Sequence, residues 1–131
     1  MISNPYQKYQ QSSVQTASPE QLILMLYDGA IRFTRTSIEA IEQHDFTKAN
    51  QNLQKAQRII NELIASLDFQ FEVSNKLMSI YEYMLHQLIQ ANIQKQKAPA
   101  SEVLAHLIDL KETWSRAMLM QKAGTANNAN G

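Results

Sequence analysis

At 131 residues, with twelve basic and twelve acidic side chains and no cysteine, the chain has the size of one domain that can bury its own core. Balanced, scattered charge provides no field to hold a polyanion, which argues against nucleic acid, and without thiols there is neither a disulfide framework nor a thiolate nucleophile. Three glycines and three prolines are few for this length, so turns are scarce and long helices are favoured.

Residues 1–17 are rich in Gln, Ser and Asn, with Tyr6, Tyr9 and Val14 spaced through them. This composition reads as an N-terminal arm or cap with regular aromatics rather than a plain disordered tail. MISNPYQKYQQSS has no hydrophobic h-region, and no apolar run approaches the length of a membrane span. The expectation is a cytoplasmic protein with no membrane insertion.

Ser18-Pro19-Glu20-Gln21 reads as an N-cap, a proline at the first helical position, an acid in the first turn and a Gln able to close a capping box. The first helix is expected from Pro19 to about Gln43. In the second, capped by Asp45, the residues Phe46, Ala49, Leu53, Ala56, Ile60, Leu63 and Leu67 recur at spacings of three and four. The short gap between these helices implies an antiparallel hairpin. DFQFEV, residues 68–73, alternates apolar and polar and forms the next connection, the one place where the chain could be briefly extended. Ser74 or Asn75 can cap a third helix to about Gln94, with Leu77, Tyr81, Met84, Leu88 and Ala91 along its stripe. After a break at Lys97-Ala98-Pro99, a fourth helix is expected from about Ala100 to Lys122, with Val103, Leu107, Leu110 and Trp114 along its seam. AGTANNANG, residues 123–131, reads as a flexible, disordered tail starting at a glycine placed as a helix stop. The fold class is all-α: an antiparallel up-down-up-down four-helix bundle over residues 18–122, with an N-terminal arm and a C-terminal tail.

One stretch exceeds what a single apolar stripe needs. LILMLY, residues 22–27, points apolar side chains all round the first helix. Leu22, Leu26, Ala30, Phe33, Ser37 and Ile41 form a core row, and Leu24, Tyr27, Ile31 and Ile38 form a second row about a third of a turn away. Two readings are open. Each bundle helix touches two neighbours, so a wide apolar arc can be entirely core; alternatively, the second row floors a groove for a partner's amphipathic segment. Gly29 costs about 1 kcal/mol relative to Ala inside a helix, which implies close approach of another chain segment there.

Catalytic chemistry finds no support. Di-iron bundles carry Glu-x-x-His pairs, whereas Glu82 and Glu102 stand four residues before His86 and His106, one too many. There is no nucleophile elbow and no glycine-rich phosphate loop. The expectation is therefore no enzyme, no cofactor and no metal.

Tyr6 and Tyr9, followed by VQTASPEQLILMLYDGAIRF from Val14 to Phe33, resemble the start of the flagellin export chaperones, the FliS family. The resemblance continues through N-x-N-L-x-K-A-Q-x-I-I-x-E-L from Asn50 to Leu63, YEYM at Tyr81 to Met84 and LIQAN at Leu88 to Asn92. It implies a bacterial cytosolic four-helix chaperone that binds the C-terminal segment of flagellin, prevents premature polymerisation and delivers the client to a component of the flagellar export gate, a type III apparatus. It also implies that Tyr6 and Tyr9 act as a removable plug over the client surface. Leu24, Tyr27 and Ile31 are the positions expected beneath that plug, and Asn50, Lys55 and Asn61 are expected to hydrogen-bond an extended client backbone. The alternative is a structural or adaptor bundle that self-associates as a homodimer through the second apolar row.

Overall fold

The computed structural model describes residues 17–130, with side-chain environments to residue 123. It contains four helices: α1 (Pro19–Glu42), α2 (Phe46–Ala65), α3 (Val73–Gln94) and α4 (Lys97–Asn130). No strand occurs among the described residues; the 68–73 connection is turned rather than extended. The arm with Tyr6 and Tyr9 lies outside the described residues, apart from Ala17.

Helix starts follow local chemistry. The Ser18 hydroxyl accepts from Gln21 N, and the Gln21 side chain returns to Ser18 N at 3.0 Å, closing the capping box with Pro19 inside it. Asp45 accepts from Lys48 N and starts α2. α3 departs from expectation: Glu72 precedes it without a side-chain cap, and the Ser74 hydroxyl instead donates to Asp68 O at 2.6 Å, tying the connection to the helix. α4 begins at Lys97, three residues earlier than the proline suggested, because Pro99 sits in the first turn where a missing N–H costs nothing.

The far end of α4 differs more. It runs through Gly124 to Asn130 instead of stopping near Lys122. A glycine commonly ends a helix by taking a left-handed conformation, and no glycine among the described residues has positive φ. Ala123, Ala126 and Ala129 are strong helix formers within this segment.

α1 packs on α2 and α4, α2 on α3, and α3 on α4, so the helices close a ring with α1 and α3 on a diagonal. Contacts fix the senses. Glu42 meets Lys97 at 3.2 Å and Asp28 meets Lys111 at 2.5 Å, so fourteen residues back along α1 match fourteen forward along α4. Asn50 of α2 meets Asn92 of α3, which places the start of one beside the end of the other. The core is Tyr27, Ala30, Ile31 and Ile41 of α1, Leu53, Ile60 and Leu63 of α2, Tyr81, Met84 and Leu88 of α3, and Val103 and Leu107 of α4, with alanines at the closest approaches.

Gly29 is such an approach. It is buried, and a Cβ there would lie 2.9 Å from Ile59 Cδ1 of α2. The helix-propensity cost is thus offset by the closeness of α1 and α2. Gly29→Ala alone is expected to change stability little, since its gain of about 1 kcal/mol is opposed by displacement of that methyl. In an Ile59→Val background, which lacks Cδ1, the same change should be more stabilising by about 0.5–1 kcal/mol; additive effects in denaturant melts would refute this packing account.

The α1–α2 turn closes through a left-handed residue. His44 has φ 58°, its N–H bonds Ile41 O, and Asp45 N–H bonds Ala40 O, the paired bonds of a Schellman ending. His44→Gly should raise stability by about 0.5–1 kcal/mol by relieving the Cβ strain. A loss instead would mean that the edge-on contact of His44 with Phe46, 5.6 Å between centroids, outweighs the strain.

Candidate docking surface

The second apolar row of α1 turns inward. Tyr27 is fully buried, and its phenol oxygen lies 2.5 Å from that of Tyr81 across the bundle diagonal and accepts from Trp114 Nε1 at 3.0 Å. Ile31 is 7 % exposed and Leu24 half-buried. The expectation of a free groove floor is therefore corrected at Tyr27, which belongs to the core; Ile31 is nearly buried but lines a groove with α4, and Leu24 stays half-exposed. The reason is angular. α2 covers α1 on the Gly29 side, α4 covers it on the Asp28 side, and the arc between them takes in both rows. Leu22, Leu26 and Phe33, expected at the centre of the core row, are half-buried at its edge.

The polar row also separates. The Asn50 side-chain oxygen accepts from Asn92 Nδ2 at 2.8 Å and from Gln54 Nε2 at 3.4 Å, so it is engaged between α2 and α3. Lys55 Nζ lies 5.4 Å from the Phe33 ring centroid, towards α1. Asn61 is exposed three turns from Asn50 on the same face. Asn50 and Asn61 share a side; Lys55 does not.

The open apolar surface lies elsewhere. A groove of about 410 Å³ between α3 and α4 is lined by Ile80, Tyr83, Leu110 and Thr113, with His106 and Asp109 on its rim. Ile80 is 38 % and Tyr83 47 % exposed. Polar contacts hold the rim: Tyr83 Oη donates to Glu102 Oε1 at 2.5 Å, Gln87 Nε2 donates to Glu102 Oε2 at 2.8 Å, and His106 Nε2 stands 3.7 Å from the same carboxylate. The Tyr83 bond, then the Gln87 bond, hold the Glu102 carboxyl below its usual range, and that bond to Glu102 pushes the Tyr83 phenol up. Sequence reasoning missed this row. Its signal was Ile80 and Tyr83 three residues apart, just outside the main stripe of α3.

A second groove, of about 680 Å³, runs between α1 and α4 over Ile31 and Ile108. A third apolar patch sits in the α2–α3 connection, where Phe69 and Phe71 are 56 % and 62 % exposed. Among the described residues, no group of three or more His, Asp or Glu side chains could hold a metal ion, and no helix is long and apolar enough to cross a membrane.

The bundle thus leaves apolar side chains open beside α4, at Ile80 and Tyr83, and in the α2–α3 connection, at Phe69 and Phe71. Residues 2–122 match the family described as flagellar protein FliS. The flagellar secretion chaperone FliS of Bacillus subtilis is 41 % identical over 121 residues, covering 92 % of this chain and 91 % of its own. Those of Salmonella typhimurium and Escherichia coli are 37 % identical over 109 residues (81 % of each chain) and 30 % identical over 112 residues (83 % and 82 %). The chain belongs to the FliS family and is a flagellar secretion chaperone by that membership.

Burial raises the pKa of Tyr27, reinforced by its bond to Tyr81, and burial also raises that of Tyr81 against the bonds from Tyr27 and Trp114. Folding then favours both neutral phenols. Their contribution is intact below pH ~10, where unfolded tyrosines are also protonated, and falls by about 1.4 kcal/mol per pH unit per tyrosine above it. Tyr27→Phe should lower stability at neutral pH by about 1–2 kcal/mol, since it strips partners from Trp114 and Tyr81. It should also remove one tyrosine's share of the alkaline slope; an unchanged slope in melts between pH 9 and 11 would contradict the buried pair.

Proposed function

We propose that this chain is an export chaperone that binds the C-terminal segment of flagellin, keeps it from polymerising early and delivers it to the flagellar export gate in the bacterial cytosol. The observation that carries the reading is family membership across residues 2–122. The open α3–α4 groove, with Ile80 and Tyr83 exposed beside Leu110, supports it physically. An apolar client segment gains burial there and loses chain entropy, so net affinity is moderate and release at the gate is feasible. Tyr6 and Tyr9 act as a removable plug: aromatic side chains on a tethered arm shield apolar surface until the client displaces them.

Calorimetric titration of the flagellin C-terminal segment into the protein should give saturable one-to-one binding, weakened at least tenfold by Ile80→Asp with Tyr83→Ser. Removing residues 1–17 should leave helicity unchanged and speed client association. No saturable binding, together with a tight homodimer in ultracentrifugation, would replace this reading with a self-associating adaptor bundle.

A further inference from the structure

We propose that the groove between α1 and α4 is the seat for a client helix whose apolar stripe is bordered by carboxylates, chemically distinct from the α3–α4 groove. The inference rests on the client reading and specifies what that client must present.

Three observations carry it. First, three of the four arginines in the whole chain, Arg32, Arg35 and Arg116, line this groove together with Lys111. Guanidinium groups pair with carboxylates in a planar, two-bond geometry that lysine cannot copy. Second, the groove holds three acids against these four bases, and the acids are not equivalent. Asp28 is held by Lys111 at 2.5 Å, whereas Glu39 and Glu112 stand four residues from Arg35 and Arg116 on their own helices. None of the three arginines makes an ion pair among the described residues, so their forks are available. The Arg32 guanidinium lies 5.0 Å from the Phe33 ring centroid, a contact that leaves its N–H edge free for an anion. Third, Ile31 and Ile108 form an apolar floor, and the α1 wall from Asp28 to Glu39 is about 16 Å long, room for three turns of a docked helix.

The contrast across α4 supplies selectivity. The α3–α4 groove has no lysine or arginine in its lining, and its one rim carboxylate beyond Asp109, Glu102, is already engaged by Tyr83 and Gln87. A client with one purely apolar helix and one acid-bordered helix is thereby placed in a single register, because the acidic helix loses its ion pairs if the two are exchanged.

The test uses the full chain and the flagellin C-terminal segment from the same organism. Arg32→Glu with Arg35→Glu should weaken binding at least tenfold with unchanged circular dichroism, and Arg32→Gln with Arg35→Gln, which keeps the bulk, should weaken it less. Changing acidic residues of the client helix to Lys should restore affinity to the Glu variant and lower it for the wild type. Binding within twofold of wild type in the Glu variant overturns this proposal and leaves the client reading standing. Absence of any binding by the wild-type chain overturns both.

Discussion

Tyr27, Tyr81 and Trp114 bring three hydrogen-bonding tips from three helices into the middle of the bundle, and much of the remaining surface is arranged around that choice. A phenol placed in a core must find a partner or forfeit a hydrogen bond. Here Tyr27 reaches the diagonal helix and also receives the indole of the last one, so the relative height of α1, α3 and α4 is fixed by donor–acceptor distances as well as by oil. With Tyr27 of α1 drawn inward, the exposed apolar side chains include Ile80 and Tyr83 of α3.

Much of the fold was legible in the sequence because local chemistry and periodicity agreed. The Ser18–Gln21 box and Asp45 reappear as cap bonds, and the middles of the α2 and α3 stripes, from Ala49 to Leu63 and from Tyr81 to Ala91, as buried residues; Phe46, at the start of the α2 stripe, is 41 % exposed. Gly29 was readable as a close approach, although only the structure names Ile59 as the neighbour. The candidate surface was harder. On α1 two rows of similar hydrophobicity sit side by side, and periodicity gives their angle to each other but not the direction of the bundle axis. Tyr27 was therefore placed on the wrong side of a boundary that depends on where α4 packs. Ile80 and Tyr83 were passed over because two residues outside a strong stripe look like ordinary surface until the facing helix is known.

The two grooves beside α4 differ in chemistry. The one against α3 is apolar with a neutralised rim, and the one against α1 carries arginines over a short aliphatic floor. A chaperone for an export client must hold a segment firmly enough to prevent assembly and loosely enough to surrender it. Shallow burial combined with exposed, solvent-screened ion pairs suits that compromise better than a deep pocket.

Hydroxyl-radical footprinting of the full chain, with and without saturating flagellin C-terminal segment, addresses most directly whether the client lies along α4 rather than on the interior row of α1. The account predicts strong protection of Ile80, Tyr83 and Leu110, with Tyr81 unreactive in both states. Full reactivity of Ile80 and Tyr83 in a demonstrably saturated complex would contradict it.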